Sequence, residues 1–121
     1  MNLIKEKIPI IDAHHHFWDL ENNYYPFLSD KNEENFFLGN YSSLKKNYLP
    51  KDYNNDAINH DVIGTIHCEA EWDRKDQIGE TKWLISLSKK HKFPTGIIAH
   101  AWLHTKNAEE IIAKQSFFKK V

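Results

Sequence analysis

At 121 residues the chain has the size of one domain and can bury a modest core. Apolar residues make up 40% and charged residues 27%, which excludes a disordered chain, and a net charge of -1 with lysines scattered among acids gives no footprint for nucleic acid. Cys68 is the one cysteine, so an internal disulfide is excluded, and no apolar run nears the ~20 residues that span a bilayer.

The first residues lack the apolar core of a secretory leader, so a cytoplasmic location with no membrane partner is expected. Residues 8–16 then read as a strand, apolar at its start and ending in His14-His15-His16. Alternate side chains of a strand share a face, so Asp12, His14 and His16 fall on one side and Ile11, Ala13 and Phe17 on the other. Imidazoles two positions apart sit roughly 7 Å apart along the backbone and can converge on one cation. His15 has the wrong parity and is expected to pack behind the strand.

Residues 17–61 are too long for a plain crossover. Tyr24, Tyr25, Pro26, Phe27 and Leu28 are followed by an acidic-polar stretch and by Pro50-Lys51-Asp52-Tyr53. The earlier part reads as a long loop over the site, and short helices are expected at 42–48 and 52–60. A second strand is expected over 61–71, with His67, Glu69 and Glu71 alternating with Ile66, Cys68 and Ala70.

A helix is expected over 76–91, capped by Asp76, with Trp83, Leu84 and Leu87 on its apolar face and Lys89, Lys90 and His91 complementing the dipole at its end. A third strand over 94–103 alternates His100 and Trp102 with Ala99, Ala101 and Leu103, and a second helix follows over 107–115 with Asn107 as cap. Strand and helix in alternation imply βαβ units and a parallel sheet. If the polar strand faces look inward, three histidine-bearing faces converge on a site at the strand ends. The plainer alternative for His67 and Glu69 is a solvated face or a buried hydrogen-bonded pair, and for His100 a satisfied core histidine. Cys68 reads as a buried, inert thiol. His60, His91 and His104 read as residues at element ends. No serine sits in a nucleophile elbow, and four glycines argue against a dinucleotide fold.

The run Asp12-Ala13-His14-His15-His16-Phe17-Trp18-Asp19 resembles the first-strand signature of the amidohydrolase-related family, above all its lactonase branch of L-fuconolactonase-like and 2-pyrone-4,6-dicarboxylate-lactonase-like enzymes. Tyr25-Pro26-Phe27-Leu28, Tyr48-Leu49-Pro50-Lys51-Asp52-Tyr53 and Glu80-Thr81-Lys82-Trp83-Leu84 carry the likeness along the whole chain. The resemblance implies an α/β fold, the first three βα units of a (β/α)₈ barrel, with residues 1–121 as the N-terminal portion of one truncated barrel domain. It implies a hydrolase that opens a small-molecule lactone, ester or amide, with His14 and His16 holding a divalent metal such as zinc, or none in a metal-independent type. Glu69, His67 and His100 are the candidate catalytic residues. Trp18, Tyr25, Phe27, Glu71, Trp72 and Trp102 are the candidate substrate contacts. The His67-Cys68-Glu69-Ala70-Glu71-Trp72 stretch is more acidic than that branch leads one to expect. The remainder of the barrel or a second copy is the expected protein partner, and the fragment alone is expected to be inactive. The rivals are a decarboxylase of the same superfamily and a non-catalytic metal- or ligand-binding α/β module with a polar sheet face open to water.

Overall fold

The computed structural model describes residues 7–32 and 35–121. The start of the chain, read above for a secretory leader, and part of the acidic stretch of the long link lie outside the described residues.

Three strands form one parallel sheet in the order β1 (Pro9–His15), β2 (Asp61–Cys68), β3 (Gly96–Ile98). β-Branched residues supply its centre, Ile10 and Ile11 in β1, Val62, Ile63, Thr65 and Ile66 in β2, Ile97 and Ile98 in β3. The link from β1 to β2 carries a short helix α1 (Pro26–Ser29), a 3₁₀ turn (Ser42–Leu44) and α2 (Pro50–Asp56). Pro50 opens α2, and the Asp52 carboxylate accepts the Leu49 backbone N–H at 2.9 Å. α3 (Gly79–Lys90) connects β2 to β3, and α4 (Ala108–Ser116) follows.

One face of the sheet packs on α2 and α3. Phe17, Tyr53, Leu84, Phe93 and Ile97 form its core, with Leu84 wholly buried. Full burial of a leucine side chain stabilises by about 1.5–3 kcal/mol, so this cluster fixes where α3 sits. The other face is bare, with Ile11 62% and Ile98 54% exposed. A second cluster of Tyr25, Leu28 and Ala70, joined by Trp18, Leu20, Phe27, Leu44 and Trp72, lies over the end of β2. The earlier part of the link, expected to be a long loop, therefore has a small core of its own. The Trp18 and Tyr48 backbones close it by exchanging two hydrogen bonds of 3.0 Å. No helix of the described residues is long and apolar enough to cross a membrane.

Several expectations need correction. β2 ends at Cys68, so Glu69 and Glu71 lie beyond it, and Glu71 takes a left-handed backbone with φ 52°. β3 ends at Ile98, so His100 and Trp102 follow the strand and do not alternate within it. α3 begins three residues after Asp76, with Ile78 at the cap position. Asn107 occupies the cap position of α4 without bonding through its side chain.

The strand parity also changes. Asp12 pairs with Thr65 and His15 with His67, three steps along β1 against two along β2. That bulge carries one extra residue. It sets Asp12 and His15 beside the buried Thr65 and His67, away from His14 and His16. His67 lies on the covered, helix-packed side, whereas Ile66 and Cys68, which alternate with it, are only partly buried.

Candidate functional site

His14 and His16, two apart at the end of β1, lie side by side. Their ring centroids are 5.1 Å apart and nearly perpendicular, at 78°. Asp12 buttresses the bulge with both oxygens. One accepts the His14 backbone N–H at 3.1 Å, the other the Tyr53 hydroxyl at 2.8 Å. Burial, together with that acceptor, pushes the Tyr53 phenol upward. His16 Nδ1 lies 2.9 Å from the Cys68 carbonyl oxygen, which can only accept. Nδ1 therefore carries the proton and the Nε2 lone pair is left for a ligand. Trp18 stacks on the same ring, at 5.9 Å and 15°.

The ends of β2 and β3 contribute a carboxylate and a third imidazole. Glu69 Oε2 sits 3.2 Å from His100 Nδ1 and also accepts the Glu71 backbone N–H at 2.9 Å. The Glu69 backbone N–H itself donates to the Ile98 carbonyl at 3.0 Å, which ties the two strand ends together. His100 Nε2 is buried with no partner among the described residues.

A cleft of about 1270 Å³ opens at these strand ends. His16, Trp18, Phe27, Glu69 and Glu71 line it. Tyr24, which the sequence offers with Tyr25 and Phe27 as a lid or as plain packing, lines it as well, and so do Phe36, Lys31, Asp73, Arg74 and Lys75, which were not singled out from sequence. Arg74 lies over the Trp102 ring at 5.1 Å and pairs with Glu71 at 3.7 Å. A cation directly after an acidic strand end was the signal available for it.

Six candidates do not line the cleft: His14 and His100 sit next to it, against His16 and Glu69, and four stand apart. Tyr25 is fully buried, edge-on to Trp72 at 5.3 Å, and burial raises its phenol, so it packs beneath the cleft and contacts nothing in it. Trp72 belongs to the same cluster and approaches Trp83 at 6.0 Å. Trp102 packs beside His100 at 4.8 Å, with its backbone N–H donated to the Gln77 side chain. His67 is fully buried, 3.3 Å from the Phe17 carbonyl oxygen through Nε2. Burial holds it near 3, so it is a neutral core imidazole rather than a proton carrier at neutral pH. His15 is likewise held near 4 by burial, edge-on to Phe17 at 4.5 Å, and packs behind the strand as expected. Cys68, expected to be buried, is half-buried, and burial and the neighbouring carboxylates of Glu69 and Asp12 raise its thiol. His60, His91 and His104 are exposed near element ends.

The metal reading can be tested on these atoms. Two imidazoles share a side, and one has its outer nitrogen fixed by a backbone carbonyl, the usual second partner of a metal-bound histidine. Among the described residues no His, Cys, Asp or Glu makes a group of three that could hold an ion. The pair fits half of a zinc-type donor set.

No family model matches the chain, and no solved structure matches it. A curated protein of Sinorhizobium fredii (strain NBRC 101917 / NGR234), uncharacterized protein y4mH, is 45% identical over 94 residues, which are 78% of this chain and 31% of that protein. The chain thus spans about a third of the length of the curated relative it matches.

Proposed function

We propose that the chain supplies the first three βα units of a (β/α)₈-barrel hydrolase of the amidohydrolase-related, lactonase-like type, acting on a small lactone, ester or amide. The observation that carries this reading is that His16 and Glu69, each with its fixed partner, line one cleft at the C-terminal ends of adjacent parallel strands. Barrels of this type place their chemistry there. A bare apolar sheet face supports the same reading, because barrel strands bury their inner side chains against one another. It counts against a self-contained binding module, for which a polar open face is expected.

In this reading His14 and His16 would hold a divalent ion, which supplies polarisation of the scissile carbonyl. Glu69 takes a proton from the attacking water, held in place by the Glu71 N–H and His100. Water oxygen bonds to the carbonyl carbon, the scissile C–O or C–N bond breaks, and the departing atom takes the proton that Glu69 received. Trp18 and Phe27 supply apolar walls that exclude bulk water from one side of the substrate. Of the proposed substrate contacts, Trp18, Phe27 and Glu71 remain. The cytoplasm is the proposed location, and the other strands of the barrel are the proposed partner of the bare face.

The test uses the whole polypeptide that the reading frame encodes. Bound metal and hydrolysis of a panel of lactones are measured for the parent, His14→Ala and His16→Ala. Loss of hydrolysis on the order of a hundredfold or more is expected for each. Unchanged hydrolysis in both variants removes the pair from the chemistry.

A further inference from the structure

Glu80 is a carboxyl group that the proposed chemistry does not use. It lies in the first turn of α3 and is only 4% exposed. An acid there ordinarily serves its own helix N-terminus in water. Here the side chain reaches back across ten residues, and Oε1 accepts the Ala70 backbone N–H at 3.0 Å. Ala70 is itself buried, at 4% exposure, so without Glu80 its N–H would be an unpaired buried donor.

The position of Ala70 gives that bond its consequence. It stands between Glu69 and Glu71, both lining the cleft, and Glu71 has the left-handed φ of 52°. A non-glycine residue in that region costs about 1 kcal/mol or more and persists only where its neighbours hold it. Two bonds hold this turn, Ala70 N–H to Glu80 from behind and Glu71 N–H to Glu69 from within. The start of α3 is in turn fixed against the loop that precedes it. A Cβ at Gly79 would lie 2.6 Å from Trp72 Nε1 and closer still to Asp76 Oδ2, so any larger residue must displace those side chains.

We propose that Glu80 is a positioning residue, whose buried carboxyl oxygen clamps the Ala70 amide and thereby presents Glu69 and Glu71 to the cleft. The clamp rests on the reading of the cleft as a substrate site only for its purpose. The bond and its effect on the turn are measurable in the whole polypeptide without substrate or metal, so failure of one reading is distinguishable from failure of the other.

Amide hydrogen exchange and the intraresidue amide–Hα NOE of Glu71 are measured by NMR in the parent, Glu80→Gln and Glu80→Ala chains. Glu80→Gln keeps an oxygen acceptor, so Ala70 protection and the strong NOE of a left-handed Glu71 are expected to survive. In Glu80→Ala, Ala70 exchange is expected to quicken about tenfold or more, with the NOE weakened, while amides of β2 keep their protection. If Glu80→Ala does not fold, Glu80→Asp, one methylene short of the amide, is read in its place with the same expectation. Parent-like exchange and NOE in the shortened variant, or loss of both in Glu80→Gln, would overturn the proposal.

Discussion

Glu80 is also where a change of pH and a single substitution should reveal one another. Burial, opposed by the Ala70 N–H and assisted by the charge of Glu69, lifts its carboxyl from the ordinary 4.5 to about 8. Glu69 is the charged group facing it from the end of β2, and Tyr25, whose phenol stays neutral, faces it from the segment before α1. The sign follows from proton counts. Between pH 4.5 and about 8 the folded chain keeps a proton that the unfolded chain has lost, so stability falls as pH rises through that window and levels off above it. At about 1.4 kcal/mol per pH unit, the whole interval is worth at most about 5 kcal/mol, less whatever the turn recovers by relaxing. Glutamine has the shape of the protonated form and no charge to bury. Urea unfolding of the parent and Glu80→Gln at about pH 5 and about pH 9 measures the difference. The two should lie within about 1 kcal/mol at the lower pH, with the variant ahead by about 2–5 kcal/mol at the higher. Parallel pH profiles for the two proteins would show that Glu80 is already ionised in the fold, and the account of its burial would be wrong.

Tyr53→Phe deletes the hydroxyl that Asp12 accepts at 2.8 Å and should cost about 1.5–3 kcal/mol in urea unfolding, the range for a hydrogen bond to a charged group. Its effect on the NMR shifts of His14 should exceed that on distant α4, and an undisturbed His14 would mean that Asp12 holds the bulge unaided. Gly79→Ala should lower stability by about 1–3 kcal/mol, because the new methyl must displace the Trp72 and Asp76 side chains. A thermal melt indistinguishable from the parent would show that this loop yields freely.

How much of this was legible in sequence differs from residue to residue. The three strands, their order of appearance and the helix between the second and third follow from apolar periodicity, which the structure keeps within a few residues at most ends. The short β3 is the exception. Only Gly96–Ile98 pairs with β2, and the Ile97 N–H is taken by Lys120 O at 2.7 Å. A run of apolar residues does not say where pairing stops. Glu80 was half legible, since Leu84 and Leu87 follow it at helical spacing and put it on the apolar face.

The sequence by itself determined which residues are extended, which are helical, and that His14 and His16 lie two apart at a strand end. Tertiary structure alone decided which way several side chains face. The extra residue between Asp12 and His15 reverses the alternation, because parity counts steps along one strand and a bulge is defined only against its neighbour. The buried states of His67, Tyr25 and Glu80 were decided in the same way. Burial and the proton affinity that follows from it depend on Phe17, Trp72 and Ala70 arriving from elsewhere in the chain, and no local pattern records that arrival.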